Sequence, residues 1–183
     1  MATKRFTIDG FGQVELNNVA FRRDGRIEAQ CAADSSDFSD GIENGMLVAV
    51  DDQNRKIKLP ADASLPIGLV YSAEHLYDER TPGLKSFKLN ATDDFLPRVG
   101  YLAAGDKFTE NCICYDDAEF SNDAALITAL GAIASTALYG GINAVGAIAI
   151  SSTAPTVGPK LKVTAKTTMP DGTLGVKFQV ITA

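Results

Sequence analysis

The sequence contains no tryptophan, a single histidine and only three cysteines among its 183 residues. With no tryptophan and five tyrosines, the chain has few of the aromatic side chains that stack on sugars, which disfavours a glycan-binding module. The three cysteines, Cys31, Cys112 and Cys114, are too few for a disulfide framework and suit a reducing compartment. We expect buried thiols, with Cys112 and Cys114 on one face of a strand.

Long apolar runs and a basic charge balance are also missing. No apolar run approaches the roughly 18 to 20 residues that a membrane span needs, and the basic start of the sequence lacks the apolar core of a secretory signal. The net charge is −6 and the pI about 4.7, which disfavours nucleic acid because phosphate contacts require clustered lysine and arginine. We therefore expect a chain of cytoplasmic origin with neither a membrane nor a nucleic acid as partner.

The motifs of common active sites are absent from the sequence. It has no glycine-rich phosphate loop and no Gly-x-Ser-x-Gly nucleophile elbow. His75 lies between Glu74 and Asp78 and could act as a general base oriented by one of these carboxylates. Because nothing nearby supplies a nucleophile, we interpret His75 as part of a polar connection. The prediction is a protein that is not an enzyme and has no cofactor.

Metal ligands occur only in patterns that do not match known sites. The spacing of Cys112 and Cys114, with one distant thiol and one histidine, is not that of a zinc site. A cluster of acidic residues could supply oxygen ligands to calcium, but the order of acids around a fixed glycine in an EF-hand is missing. We interpret the cluster as solvated loop residues and predict no metal. It consists of Asp116, Asp117, Glu119 and Asp123.

Short strand-like stretches separated by turn residues make up most of the sequence. Up to residue 33 we predict an arm of short strands, with Asp24-Gly25 as the turn of a hairpin. A run rich in serine and aspartate, Asp34–Gly41, follows and is typical of a loop or hinge. The predicted organisation is an N-terminal arm with hairpin and hinge at 1–40 and a β-rich body at 41–183.

The body shows the alternating strands and turns that are typical of barrels and sandwiches. Its last two strands, at 160–163 and 175–180, alternate polar and apolar residues and are joined by a turn at Met169–Gly172, which predicts a hairpin. We expect a mainly β fold, with a small β-barrel or β-sandwich body, the N-terminal β arm and one short helix. Further strands are predicted at 46–50, 56–59, 67–71, 87–89, 99–102 and 113–115.

The helix is predicted where the sequence changes its period. From residue 122 to 138, apolar side chains recur three and four residues apart. Asn122 or Ser121 is suited to cap the start of such a helix, and Gly140-Gly141 to end it. The same alanine-rich sequence can also form a loop or a strand, and both interpretations stay open at this point.

Several stretches of the body resemble head decoration and head-fibre proteins of tailed phages. They are Gly41–Val50 (GIENGMLVAV), Lys58–Ala61 (KLPA), Pro66–Ser72 (PIGLVYS) and Arg98–Thr109 (RVGYLAAGDKFT). These stretches fall in the middle of the chain, and the alanine-rich segment 124–150 has no counterpart in the pattern. Each stretch by itself is a generic strand and turn, so the resemblance depends on their combination.

The resemblance implies a capsid decoration, or cement, protein that stabilises the outer surface of a bacteriophage head and is made in the host cytoplasm. It also implies a homotrimer whose N-terminal arm contacts the major capsid protein. Arginine forks pair well with carboxylates at interfaces, whereas solvated hairpin charges are the alternative for the arginines of the arm. The candidate contact residues are Phe6, Ile8, Phe11, Val14, Leu16, Arg22, Arg23 and Arg26.

Other functions stay open at the level of sequence. A head-fibre, tail-tube or connector subunit would use the same β-rich architecture in a spike or ring. A glycan-binding β module belongs to a different class and would show saturable binding to a sugar.

Overall fold

The structure is a computed structural model that describes residues 3–23, 29–60, 64–72, 88–89 and 96–183. It is mainly β, as the sequence predicts. Within the part of the chain that the structure describes, the strands form two large sheets and one small sheet. Among the described residues, no helix has the length and apolar character needed to cross a membrane.

The larger sheet has eight strands and curls into a half-barrel. Its strands are β1 (Thr3–Arg5), β2 (Val14–Asn18), β11 (Lys107–Glu110), β12 (Ile113–Asp116), β13 (Tyr139–Gly141), β14 (Ile148–Ser151), β15 (Lys160–Thr168) and β16 (Leu174–Thr182). Their order across the sheet is β1-β12-β14-β13-β15-β16-β11-β2. All neighbours are antiparallel except β12 and β14, which run parallel.

The second sheet has six strands among the described residues, and its strand β6 is buried on both faces. Its strands are β3 (Ala29–Gln30), β4 (Ala32–Ala33), β6 (Leu47–Asp51), β7 (Lys56–Lys58), β8 (Ile67–Val70) and β10 (Arg98–Tyr101). Their order is β3-β10-β8-β6-β7-β4, and every residue of β6 is buried. A small third sheet pairs β5 (Ile42–Glu43) with β9 (Lys88–Leu89).

Two apolar clusters lie on opposite faces of the six-stranded sheet. On one face, Leu47 and Leu69 pack in a cluster with Phe108 and Phe178 of the half-barrel. We call the face of the half-barrel that carries Phe108 and Phe178 its inner face. On the other, Val48 of the six-stranded sheet packs in a cluster that also holds all three cysteines. The cysteines are free and buried, as predicted.

Two helices complete the described fold. The short α1 (Ala20–Arg23) follows β2, and α2 (Asp123–Gly131) follows β12. The side chain of Asn122 accepts a hydrogen bond from Ala125 N–H at 3.0 Å and caps α2. Leu126 and Leu130 project from α2 into the core that the half-barrel shares with the six-stranded sheet.

Each strand predicted in the body has a counterpart in the structure, and the predicted C-terminal hairpin is confirmed. The pair β15–β16 aligns over nine residues on each strand, with the turn closed by Gly172 N–H to Met169 carbonyl at 2.9 Å. The strands β5, β11, β13 and β14 have no predicted counterpart. Strands β13 and β14 lie in the alanine-rich part of the sequence, where a two-residue period is hard to see.

The prediction of short strands throughout the arm is wrong at residues 20–23, because this stretch is the helix α1. Its Ala20 N–H donates to the carboxylate of Asp106 at 2.8 Å, and Phe21 stacks near Tyr71 with ring centroids 4.8 Å apart. An added Cβ at Gly100 would lie 2.5 Å from the Phe21 ring, so the ring covers this glycine. The turn predicted at Asp24-Gly25 lies outside the described residues.

The predicted helix begins at its expected cap but ends earlier than expected. It stops at Gly131, and Gly140-Gly141 belong to strand β13. These two glycines allow close packing: an added Cβ at Gly140 would lie 2.6 Å from Ile148, and one at Gly141 would lie 2.9 Å from Pro155. The pair therefore serves strand packing and does not terminate a helix.

Candidate functional site

The first 33 residues supply the outer strands of both large sheets. In the described structure, β1 and β2 are the two ends of the eight-stranded sheet, and β3 and β4 are the two ends of the six-stranded sheet. They pair with β12, β11, β10 and β7 respectively. The predicted arm is thus paired with the body at four sheet edges, and its outward backbone groups are those that a further strand would meet.

The segment that the sequence predicts as a hinge is a hydrogen-bonded turn. Asp34 N–H donates to the Ile57 carbonyl at 2.9 Å, and the Asp37 carboxylate accepts from Leu59 N–H at 3.0 Å. Phe38 is 3% exposed and packs in the cluster that contains the cysteines. These contacts tie the turn to β7 and the stretch after it. The predicted domain boundary at residue 40 stays a prediction.

Residues 6–13 connect the two edges of the half-barrel. Phe6 N–H donates to the Ile113 carbonyl at 3.1 Å at one end, next to β12. At the other end, Gln13 N–H donates to the side chain of Asn111 at 2.7 Å, next to β11. Because β11 and β12 are joined by only Asn111 and Cys112, the two edges of the sheet meet at this connection. We call this region, where residues 5–13 meet Glu43 and residues 110–113, the seam.

Arg5 is the charged residue that holds the seam together. Its guanidinium lies 3.0 Å from the Glu43 carboxylate and donates to Cys112 Sγ at 3.2 Å and to the Ile113 carbonyl at 3.3 Å. Glu43 also accepts a hydrogen bond from Gly12 N–H. An added Cβ at Gly12 would lie 2.2 Å from the Asn44 carbonyl, so only glycine fits between these groups. The Arg5–Glu43 pair thus fastens β1 and the stretch before β2 to the small sheet.

Glu110 is a fully buried carboxyl group just behind this ion pair. Its exposed fraction is 0%, and neither of its oxygen atoms has a hydrogen-bond partner among the described residues. Burial raises its pKa well above the usual 4.5; Arg5 opposes this shift and Glu43 adds to it. The chain folds so tightly here that an added Cβ at Gly45 would lie 2.7 Å from Glu110 Oε2. The environment therefore favours the protonated, uncharged form.

A cavity of about 340 Å³ opens next to the same ion pair. Its wall combines the charged side chains of Arg5 and Glu43 with the apolar side chains of Phe11, Phe38 and Met46. Asp37 and Asp40 lie at the same cavity, so it is acidic apart from Arg5. Such a lining suits an apolar side chain or a cationic group of a partner.

The candidate contact residues of the arm differ in how accessible they are. Phe6 is 6% exposed and belongs to the core, so it cannot contact a partner unless β1 moves. Phe11 is half-buried in the wall of the cavity. Arg22 and Arg23 lie in α1, and Arg26 lies outside the described residues. The remaining candidates are half-buried and pack against the core: Ile8, Val14 and Leu16.

Three of the four residues of the acidic cluster accept hydrogen bonds from the protein. Asp116 accepts from Ala118 N–H at 2.9 Å, and Glu119 accepts from Ser152 N–H at 2.5 Å. Tyr115 donates its hydroxyl to Asp123 at 2.5 Å. Burial, and to a smaller extent this hydrogen bond, raises the pKa of Tyr115 to about 12. His75 lies outside the described residues.

Sequence reasoning missed the residues of the seam. Arg5, Glu43 and Glu110 are far apart in the chain and belong to no motif. One signal was present for Glu110: in Lys107–Glu110 it shares the strand face of Phe108, so a two-residue period places it inside the fold. A carboxyl group at such an inward position is unusual and marks the residue as a candidate for the functional site.

Comparisons of the chain with protein families, with curated proteins and with solved structures find no match.

Proposed function

We propose that the protein is a non-enzymatic structural protein of a tailed-phage virion that decorates and stabilises the outer surface of the capsid. The proposal combines the sequence resemblance with one structural observation, that residues 3–33 supply the outer strands of both large sheets. An outer strand offers a row of backbone groups to which a strand of another protein can add. The partner in this proposal is the major capsid protein.

The geometry of β1 shows which backbone groups are offered. Because Phe6 N–H donates to Ile113, the N–H groups of Phe6 and Lys4 face β12. The N–H groups of Thr3 and Arg5 therefore point away from the sheet. Thr3 is exposed, so its outward N–H can be altered without disturbing the core.

The burial of Phe6 favours contact through the strand edge over contact through a released arm. Releasing β1 would expose Phe6 and separate Arg5 from Glu43, which together oppose release. Adding a strand to the outer edge of β1 keeps both the burial of Phe6 and the Arg5–Glu43 ion pair. Each backbone hydrogen bond contributes on the order of 1 kcal/mol, so a short edge binds weakly and relies on several copies acting together.

Trimer formation is part of the proposal, because it would present three such edges to the shell at once. Multi-angle light scattering of the purified protein gives the mass directly. A trimer supports the decoration role, and a hexamer supports a tail ring. A monomer at all concentrations removes trimer formation in solution from the proposal.

The experiment is co-sedimentation of the purified protein with expanded capsids that lack it, using Thr3→Pro and its matched control Thr3→Val. Proline removes the outward N–H of Thr3 without touching the bonds to β12, whereas valine keeps this N–H and the branched shape. We expect saturable binding by the parent and by T3V, and binding weakened about tenfold or more in T3P.

The outcomes separate the role from its mechanism. Equal binding by all three proteins would leave the decoration role standing and remove strand addition at β1. No binding by the parent protein would overturn the decoration role and point to a head-fibre, tail-tube or connector subunit.

A further inference from the structure

The outer face of the half-barrel, opposite its inner face, carries four lysines on three adjacent strands. Lys162 of β15 pairs with Gln179 of β16, which pairs with Lys107 of β11. Paired residues lie on the same face of a sheet, and so do residues two apart on a strand. Lys160 and Lys177 therefore join Lys107 and Lys162 on this side. We call these four residues the outer lysine face.

The burial pattern confirms which side these lysines occupy. The residues next to these lysines in the sequence, Leu161, Phe108 and Phe178, are fully buried on the inner face. Lys107 and Lys162 are exposed, and Lys160 and Lys177 are half-buried. With strands about 4.8 Å apart, the four side chains rise from a patch on the order of 10 Å across.

Charge on this face is not balanced within the described structure. The ion pairs among the described residues are Arg5–Glu43 and Lys58–Asp51, and neither involves the outer lysine face. The acidic residue that the register brings closest on this side is Glu15 of β2, two strands from Lys177. Like charges this close repel each other, so the patch gains free energy when a partner supplies carboxylates.

The sequence concentrates this charge in one part of the chain. Residues 124–183 contain four lysines and a single acidic residue, Asp171. Residues 1–123 contain 13 basic and 22 acidic residues. The outer lysine face is thus a local positive surface on a protein whose net charge is −6.

We propose that the outer lysine face binds an acidic surface of a partner protein. The side chains among the lysines are Gln179, Tyr139 and Thr164, which offer neutral hydrogen-bonding groups on a regular sheet face. A nucleic acid would extend beyond this small patch and meet the acidic remainder of the chain, which repels it. A protein surface with a few carboxylates can contact the patch alone. This inference does not rest on the virion role.

The test uses poly-L-glutamate as an acidic polypeptide probe, with single-stranded DNA and phosphatidylserine vesicles as competing probes. Binding is measured by fluorescence anisotropy or co-flotation at low and at high salt. The variant is Lys162→Glu with Lys177→Glu. The control is Lys166→Glu, which reverses one charge on β15 outside the outer lysine face: Lys166 pairs with buried Val176, and its Nζ lies 4.0 Å from a Cβ added at Gly131 of α2.

We expect the parent protein to bind poly-L-glutamate in a salt-sensitive manner. The double variant should lose about tenfold or more in affinity, and K166E should change it less than about twofold. Equal binding by the double variant would overturn the proposal. Tighter binding of the parent to DNA or to vesicles than to poly-L-glutamate would replace the acidic protein with that partner. Since no capsid is used, failure here is distinct from failure of the decoration role.

Discussion

At the scale of single residues, Glu110 and Asp51 show how differently this fold treats its carboxyl groups. Glu110 is enclosed without hydrogen-bond partners among the described residues, and burial raises its pKa. Asp51 accepts hydrogen bonds from Asn54 and Lys58, which lower its pKa from 3.8 to about 2. The first carboxyl group destabilises the fold when it ionises, and the second stabilises the fold when it ionises.

Glu110→Gln should change how stability depends on pH. A raised folded-state pKa means that the folded protein holds a proton that the unfolded chain releases above pH 4.5. Parent stability therefore falls as pH rises from 4.5 towards the folded-state pKa, by up to about 1.4 kcal/mol per pH unit. The amide cannot ionise, so the free energy of unfolding of E110Q should rise relative to that of the parent over this pH range. Urea unfolding at a series of pH values measures the difference.

The control for this experiment is Glu15→Gln, which removes a carboxyl group that contacts solvent on the neighbouring strand β2. The absolute stability of E110Q at acid pH is not decisive, because an unpartnered amide is also costly to bury. The prediction concerns the slope of the unfolding free energy against pH. A difference between E110Q and the parent that stays constant from pH 4 to pH 8 would contradict it.

At the scale of elements, α2 is a short helix that depends on its cap and on two buried leucines. Its nine residues are too few to be stable alone, so the Asn122 cap and the burial of Leu126 and Leu130 determine whether it forms. Asp123 adds a second attachment, because it accepts hydrogen bonds from Tyr115 and from Thr7 N–H. The helix therefore links β12 to the stretch after β1.

Asn122→Ala should lower the free energy of unfolding by about 1 kcal/mol, because Ala125 N–H loses its partner. Thr128→Ala on the exposed side of α2 is the matched control and should change it by less than about 0.5 kcal/mol. Thermal or urea unfolding measures both variants. Equal losses in the two variants would show that the cap contributes nothing specific.

The elements also show what the sequence could predict. Alternation and turn residues were enough for the C-terminal hairpin, and the cap residue was enough for the start of α2. The helix α1 was not predictable, because Phe21 is placed by Gly100 and Tyr71, which lie far along the chain. The seam was not predictable for the same reason: Arg5, Glu43 and Glu110 meet only through strand pairing.

At the scale of the whole molecule, the first 33 residues form the outer strands of sheets whose inner strands come from later in the chain. The sequence suggested an arm because these strands are short and separated by turns. Their pairing with the body depends on residues 24 to about 110 positions away, from Ala32 opposite Lys56 to Arg5 opposite Cys114. No local sequence pattern reveals such a partner. A separate arm and a set of strands paired at the edges of the body's sheets therefore have the same appearance in sequence.

Removing residues 1–12 should both destabilise the protein and promote self-association. The deletion takes away the buried side chain of Phe6 and uncovers the backbone row of β12 that pairs with β1. Phe6→Ala is the matched control, because it removes the packing but keeps β1. Urea unfolding and sedimentation velocity measure the two effects.

The two variants should differ in kind. Each should lose about 3–5 kcal/mol or more of unfolding free energy, as expected for a buried phenylalanine. Only the deletion should form oligomers that grow with concentration, since an uncovered strand edge pairs with other chains. Equal self-association by F6A would indicate that lost packing, and not the open edge, causes it.

The position of the outer strands also sets an order of events during synthesis. When a ribosome has made β1, the strand that will pair with it is still about 110 residues from being translated, a delay on the order of ten seconds. During this interval Phe6, Val19 and Phe21, all buried in the finished protein, have no core to enter. The nascent chain therefore passes through a period in which its earliest residues are candidates for chaperone binding, and closure of the half-barrel is among its last folding steps.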